Sequence, residues 1–288
     1  MERISTIQRT KEIVSEYQFK FSKSLGQNFL IDGNVLNNII EGAQISETDA
    51  VIEIGPGIGS LTQYLAERAK KVVAVEIDKT LLPILEKTLS GCNNVKVVND
   101  DILKVDVHKL IDTHFPNERP KVVANLPYYV TTPIIMKFLE EKAPVSSLVV
   151  MIQKEVAERM QAAPGTKNYG ALSIAVQYYC DVKILFKVPP SVFIPQPKVE
   201  STVIKLDVKE APRVQVKDES LFFSIVRDAF GKRRKTLLNA LSTGALKLDK
   251  QMIRETLNIL HINENIRGEA LNIEQFAKIT NCIVEKTK

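Results

Sequence analysis

The stretch VVANLPYYVTTP (122–133) ends a short apolar run in an amide, a proline and two tyrosines. Asn125 brings a side-chain oxygen that accepts hydrogen bonds, Leu126 a main-chain carbonyl, and Tyr128 a flat ring on which a base can stack. Pro127 stiffens the turn and biases Leu126 toward extended geometry, which fixes that carbonyl. Together these parts suit an exocyclic amine of a nucleobase. Such an amine is a poor nucleophile because its lone pair is delocalised into the ring. It needs acceptors that hold its two N–H bonds more than a strong base, since its proton becomes acidic once the nitrogen has attacked. Taken alone, N-L-P-Y reads more readily as a strand-to-helix turn with a buried tyrosine, so the neighbours decide.

The second group lies in VIEIGPGIGSLTQYLAERAKKVVAVEID (51–78), which reads strand, glycine-rich turn, helix, strand. Gly55, Gly57 and Gly59 allow a turn tight enough for a ligand to approach the backbone. Their spacing is G-x-G-x-G, not the G-x-G-x-x-G that favours a dinucleotide pyrophosphate. Glu76, ending the next strand, is placed to grip both hydroxyls of a ribose. Asp101, after the strand VKVV, is placed to accept from an adenine amine. The result is a nucleoside pocket across adjacent strand ends with no feature for phosphate, which points to S-adenosylmethionine. NAD remains a competitor on these residues alone, and a bare turn with surface acids is the bland alternative.

The elements that must position these groups are legible from residue 50. Short β-branched runs AVIEI (50–54), KVVAVEI (71–77), VKVV (95–98), KVVAN (121–125) and SLVVMIQ (147–153) alternate with helical SLTQYLAERA (60–69), LLPILEKTLS (81–90) and TPIIMKFLEE (132–141). Continuous apolar strands alternating with helices predict a parallel sheet covered on both faces, here an α/β doubly wound sheet. Ligands of such sheets bind beyond the carboxyl ends of the strands, which puts Asn125–Tyr128 beside the glycine turn. VQYYCDVKILFKV (176–188) and STVIKLDV (201–208), with no helix between them, predict an antiparallel closing pair at one sheet edge. Beyond about 210 the pattern is helical, as in ESLFFSIVRDAF (219–230), QMIRETLNIL (251–260) and IEQFAKIT (273–280), so a small all-helical domain follows.

Length and composition bound the function classes. A chain of 288 residues with 44% hydrophobic residues can bury a core, and no apolar run approaches the roughly 18 residues of a membrane span. The N-terminus lacks the apolar stretch of a signal peptide. Cys92, Cys180 and Cys282 lie far apart and read as reduced thiols, and His108, His114 and His261 form no motif. A cytoplasmic protein with no metal is therefore expected. Residues 1–200 hold 23 Lys/Arg and 23 Asp/Glu, whereas residues 201–288 hold 16 and 11, so the last segment carries the whole net charge of +5. Its sharpest feature is the run Lys232-Arg233-Arg234-Lys235, which is either a phosphate contact or a solvated face.

FSKSLGQNFLID (21–32), EIGPGIGSLT (53–62), VEID (75–78), NDDIL (99–103), NLPYYVTTPI (125–134), MIQKEVAERM (151–160), FIPQPKVES (193–201) and FGKRRKTLLNAL (230–241) together carry a resemblance. The chain resembles the rRNA adenine dimethyltransferases over nearly its whole length, and within them the small-subunit type whose loss gives kasugamycin resistance. The resemblance implies a Rossmann-like methyltransferase domain at 21–208, preceded by an N-terminal arm at 1–20 and followed by a helical RNA-binding domain at 209–288. It implies that Asn28 and Leu30 close over S-adenosylmethionine, that Gly55 and Gly57 lie in its pocket, and that Glu76 holds the ribose and Asp101 the adenine amine. Asn125, with Leu126 and Pro127, would face the methyl and the target nitrogen. Tyr128 would stack on the target base, Phe193 would flank its other face, and Lys232, Arg233, Arg234 and Lys235 would hold rRNA, with Arg233 and Arg234 the main phosphate contacts.

The implied activity is dimethylation of two adjacent adenines near the 3′ end of small-subunit rRNA, within an assembling small ribosomal subunit; separately, a monomer on RNA is the simpler expectation. The chain departs from the family at Gln196, where proline is more usual, although Pro195 and Pro197 still stiffen that loop. A large-subunit adenine methyltransferase of the macrolide-resistance type shares the Asn-Pro-Tyr logic, but the long N-terminal lead and NLPYYVTTPI favour the small-subunit type. A ribosome-binding assembly factor with secondary methylation belongs to a different class, and the intact glycine turn, Glu76, Asp101 and Asn125 speak against a dead enzyme. DNA adenine or glutamine methyltransferases are remoter.

Overall fold

The computed structural model describes residues 3–22 and 25–287. Met1 and Glu2 of the expected arm, Lys23 and Ser24 of FSKSLGQNFLID, and Lys288 lie outside the described residues. The chain forms two compact units, Met1–Ala157 with Lys183–Val208, and Glu158–Val182 with Lys209–Lys288.

The first unit runs through α1 (Ile7–Glu16), β1 (Phe29–Leu30), α2 (Gly33–Gly42), β2 (Ala50–Ile54), α3 (Ser60–Arg68) and β3 (Lys71–Glu76). It continues with α4 (Leu82–Thr88), β4 (Val95–Asn99), α5 (Val107–His114), β5 (Lys121–Asn125), α6 (Thr131–Glu140) and β6 (Ser147–Gln153). α7 (Lys154–Gln161) crosses into the second unit at Glu158, α8 (Ala171–Tyr179) lies in the second unit, and β7 (Cys180–Val188), β8 (Phe193–Ile194) and β9 (Ser201–Val208) return the chain to the first. The second unit ends with α9 (Glu219–Gly231), α10 (Leu237–Thr243), α11 (Lys250–Ile259) and α12 (Ile273–Lys286).

Seven strands form one sheet in the order β4-β3-β2-β5-β6-β9-β7. The pairs from β4 to β6 are parallel, and β9 runs antiparallel to β6. All five residues of β2 are buried, as are Val122, Val123 and Ala124 of β5. Each Val or Ile buried this way contributes about 1.5–3 kcal/mol, which is why strands covered on both faces read as unbroken apolar runs. The chain builds outward from β2 through β3 to β4, then returns to the other side of β2 with β5. The crevice beyond the carboxyl ends of β2 and β5 is thus the topological switch point, where such sheets bind ligands.

Two smaller features frame that crevice. β1 and β8 pair antiparallel, setting Phe29 opposite Ile194 and Leu30 opposite Phe193. The N-terminal lead folds onto the first unit: the Thr6 side chain caps α1, and Ile4 and Ile13 are buried with Ile58, Leu81 and Leu85. The Ile4 N–H donates to Gln63 Oε1 (3.2 Å), and the Ser5 and Tyr64 hydroxyls lie 3.0 Å apart.

One expected strand is divided. Within VQYYCDVKILFKV, residues 176–179 finish α8 and only Cys180–Val188 is strand. Tyr178 and Tyr179 are β-favouring types, yet here their rings meet Phe222 and Phe223 of α9 and both hydroxyls donate to Glu219 (3.4 and 2.6 Å). That packing overrides propensity. In the second unit Asp218, Thr236, Asp249 and Asn272 each cap a helix through the side chain, and Asn272 with Gln275 makes a reciprocal capping box. Among the described residues no helix is long and apolar enough to cross a membrane, and no three His, Cys, Asp or Glu side chains gather to hold a metal.

Candidate active site

A cavity of about 270 Å³ opens at the switch point of the first unit. The structure brings Asn28, Leu30, Gly55, Gly57, Glu76, Asp101, Asn125, Leu126, Pro127, Tyr128 and Phe193 to its wall, although they span 166 residues of sequence from Asn28 to Phe193.

The glycine turn between β2 and α3 has positive φ at Gly55 (68°), Gly57 (60°) and Gly59 (93°), where a side chain would be strained. A Cβ on Gly55 would meet no protein atom within 4 Å, so the space beside it is the cavity itself. A Cβ on Gly57 would press against the Phe29 ring at 3.0 Å. Glu76 is fixed at the end of β3: Oε2 accepts the Gly57 N–H (3.2 Å) and Oε1 the Asp78 N–H (2.8 Å). Burial pushes its carboxyl above the usual range, and the backbone N–H groups of Asp78, Gly57 and Ile77 oppose the shift. Asp101 Oδ1 accepts the Leu103 N–H (3.0 Å), and Oδ2 lies 3.6 Å from Lys104 Nζ. Beside these two acids, Ile77 and Leu103 line the cavity as exposed apolar side chains, the walls a flat base requires.

Asn125 sits at the end of β5, and its Nδ2 donates to the main-chain carbonyl of Asn28 (3.0 Å). That bond leaves Oδ1 as the amide's unused acceptor. Next to it the Leu126 N–H continues the ladder to the Met151 carbonyl (3.1 Å). The Pro127 carbonyl accepts from the Val130 N–H (3.2 Å) and the Thr131 hydroxyl (3.0 Å), whereas the Leu126 carbonyl accepts nothing among the described residues. Asn125 Oδ1 and the Leu126 carbonyl thus both lack a hydrogen-bond donor among the described residues, and both residues line the cavity. Tyr128 is half-buried, with its hydroxyl 2.6 Å from Ser201 Oγ, and burial raises its pKa. Phe193 is 1% exposed and shares a core cluster with Leu30, so it lines the cavity as part of a rigid wall.

Residues 25–30 form a strap over the cavity. Gln27 Nε2 donates to Asp78 Oδ2 (2.6 Å), Gln27 Oε1 accepts the Ser22 N–H (2.8 Å), and Asn28 Nδ2 donates to the Gly26 carbonyl (2.9 Å). With the Asn125 bond, the strap is tied both to the loop after Glu76 and to the end of β5.

One acid of this site stands outside the residues expected from the sequence. Glu53, in β2, is 1% exposed, and its Oε2 has no hydrogen-bond partner. Burial pushes its carboxyl up to about 8, with the Glu76 charge acting the same way. Ser60 Oγ is also buried without a partner, and both residues line the cavity. The only signal in the sequence is a lone acid inside the apolar strand AVIEI. Such orphaned polar atoms call for a ligand that carries polar groups to them.

The basic run lies in the second unit, and its members differ. Lys232 Nζ donates to the Thr243 carbonyl and hydroxyl (both 2.8 Å). Arg233 Nε donates to Glu269 (3.1 Å) and its Nη2 to the Lys167 carbonyl. Arg234 and Lys235 are exposed, and their side chains have no partner among the described residues.

Comparison with known proteins gives one direction. A family model described as ribosomal RNA adenine dimethylase matches residues 18–285. The chain is 68% identical to the ribosomal RNA small subunit methyltransferase A of Alkaliphilus oremlandii (strain OhILAs), over 99% of this chain and 100% of that protein. Among solved structures, a dimethyladenosine transferase from Plasmodium falciparum superposes with a TM-score of 0.77 at 30% identity, covering 90% of this chain and 98% of that one. The 23S rRNA methyltransferase ErmE follows with a TM-score of 0.66 at 25% identity, covering 89% and 99%.

Proposed function

The chain belongs to the ribosomal RNA adenine dimethylase family, and from that premise we propose that it methylates two adjacent adenines near the 3′ end of small-subunit rRNA. Each exocyclic amine receives two methyl groups from S-adenosylmethionine, on an assembling small ribosomal subunit. The observation that carries the reading is the pair of acceptors without a donor, Asn125 Oδ1 and the Leu126 carbonyl, in the wall of the cavity that Gly55, Glu76 and Asp101 also line.

The donor fits the residues present. The open space at Gly55, the fixed Glu76 carboxylate and the orphaned oxygens of Glu53 and Ser60 suit a nucleoside with a polar amino-acid end. Glu76 would hold the ribose hydroxyls, and Asp101 the adenine amine. The strap at Asn28 and Leu30 would exclude water. When bound, the donor supplies an electrophilic methyl group on a cationic sulfur.

The chain's own residues then do the rest. Tyr128, steadied by Ser201, offers its ring to the target adenine. Asn125 Oδ1 and the Leu126 carbonyl accept the two amine N–H bonds and turn the nitrogen lone pair out of the ring system. As that nitrogen becomes cationic its hydrogen bonds to the same acceptors strengthen, so the stabilisation grows in the transition state, and the methylated nitrogen then releases one proton to water. No strong base is required, because the proton of the attacked amine is already acidic. After the first transfer one N–H remains, and one acceptor suffices for the second.

The second unit, with Arg234 and Lys235 outermost in its basic run, would hold the rRNA phosphates. A large-subunit target is the second reading, and the 68% likeness to a small-subunit methyltransferase against 25% to ErmE favours the first. The test is mass spectrometry of rRNA from unmethylated small subunits incubated with the purified protein and isotopically labelled donor. Two dimethyladenosines near the 3′ end are expected. Methyl groups placed on large-subunit rRNA, or on neither, would defeat the reading.

A further inference from the structure

Tyr129 has no part in the chemistry above, yet its ring stands at the cavity mouth 60% exposed. Its hydroxyl has no partner among the described residues, whereas the hydroxyl of the adjacent Tyr128 is tied to Ser201. A large ring left in water is normal when it is isolated, but this one is set in place. The Gly26 turn, at φ +59°, runs along one edge of it: a Cβ on Gly26 would lie 3.4 Å from Tyr129 Cδ1 and 3.6 Å from Cε1. Pro127, two residues earlier, limits the backbone of the same turn. The ring thus has the Gly26 turn beside one edge and is otherwise largely exposed.

The proposed substrate supplies what such a ring lacks. When one of two adjacent bases is drawn into the cavity toward Asn125, it unstacks from its neighbour. That neighbour is left at the mouth with an uncovered face. We propose that Tyr129 is the stacking platform for the nucleotide that flanks the adenine being methylated. It replaces the stacking lost when the target base is extruded, and it favours a flat purine beside the target. Because the strand has one polarity, the platform meets the partner adenine in one of the two transfers and the nucleotide outside the pair in the other. The inference rests on the adenine-pair reading above.

The test uses the full-length protein and small subunits reconstituted with rRNA carrying either both adenines or an abasic residue in place of one or the other. Steady-state methylation and donor binding are measured for wild type, Tyr129→Ala and Tyr129→Phe. On the parent substrate Tyr129→Ala should lower kcat/KM for the subunit roughly 10-fold, the usual scale for one base–aromatic stack, with donor Kd unchanged, and Tyr129→Phe should retain the wild-type value. On one of the two abasic substrates, the one that removes the base on the platform's side of the remaining adenine, wild type should fall toward the alanine variant, which should lose little more. An equal loss in Tyr129→Ala on the parent and on both abasic substrates, an unchanged kcat/KM, or a matching loss in donor binding would overturn the platform. Absence of wild-type methylation on the parent substrate would instead overturn the adenine reading, and the platform with it.

Discussion

The amide of Asn125 has two ends with different tasks, and the structure predicts that they separate in experiment. Its Nδ2 anchors the strap through the Asn28 carbonyl at 3.0 Å, while Oδ1 has no donor among the described residues and is the acceptor proposed for the target nitrogen. Losing a neutral hydrogen bond costs about 1 kcal/mol net, close to 5-fold in an equilibrium. Losing a preorganised polar group aimed at developing charge costs roughly 3 kcal/mol, or about 100-fold or more in rate. Asn125→Ala removes both, so donor affinity should fall about 5-fold and methyl transfer at saturating donor at least 100-fold. Gln27→Ala provides the counterpart. It removes the 2.6 Å bond to Asp78 and loosens the strap while leaving Oδ1 in place. Donor affinity should then drop by about 10-fold, on the scale of a hydrogen bond to a charged group, with the saturated rate nearly unchanged. Calorimetric donor titration and single-turnover methylation of unmethylated small subunits measure the two quantities. If Asn125→Ala weakens donor binding as much as it slows transfer, or if Gln27→Ala slows saturated transfer as much as Asn125→Ala does, the division of labour is wrong.

Glu53 makes folding depend on pH. Its carboxyl rises from an ordinary 4.5 to about 8 on folding, so between those values the folded chain keeps a proton that the unfolded chain releases. Stability is therefore full below about 4.5 and is lost progressively up to about 8. The slope is about 1.4 kcal/mol per pH unit. Glu53→Gln removes that proton. Urea unfolding at pH 5.5 and pH 8.5 should show the variant gaining on wild type by roughly 3 kcal/mol across the interval, and a constant difference would contradict the buried neutral acid. In the second unit, replacing Arg234 and Lys235 with alanine should make the salt dependence of RNA binding shallower by about 1.4 in log–log slope, near 0.7 for each single-strand phosphate no longer neutralised. Arg233→Ala should instead lower the unfolding midpoint by removing the bonds to Glu269 and the Lys167 carbonyl, and an unchanged slope for the double variant would mark the run as a solvated face.

Much of the scaffold follows from local pattern. The runs AVIEI, KVVAN, SLVVMIQ and STVIKLDV are the strands Ala50–Ile54, Lys121–Asn125, Ser147–Gln153 and Ser201–Val208, residue for residue. Strands buried on both faces must be apolar throughout, so their bounds show as changes of composition. The glycine turn was equally legible, because only a residue without Cβ accepts its positive φ and its close neighbours. Less legible were α8, whose tyrosines favour a strand until Phe222 and Phe223 meet them, and the short helices α5, α7 and α10. In each of these, seven to nine residues carry too few turns for a periodic signal.

What the sequence determined by itself, then, is which apolar segments become the sheet's buried strands and which strand ends carry acid, amide and glycine. Those properties depend on residues a few positions apart. Tertiary structure decided everything that pairs distant segments: the strand order that sets β5 against β2, the orientation of the Asn125 amide by a carbonyl 97 residues away, the tie of Tyr128 to Ser201, the closure of Arg233 on Glu269, and the proton on Glu53. No local pattern encodes such partners, because a side chain's remaining hydrogen-bonding capacity and its charge state are fixed only when packing removes water and brings remote groups within about 3 Å.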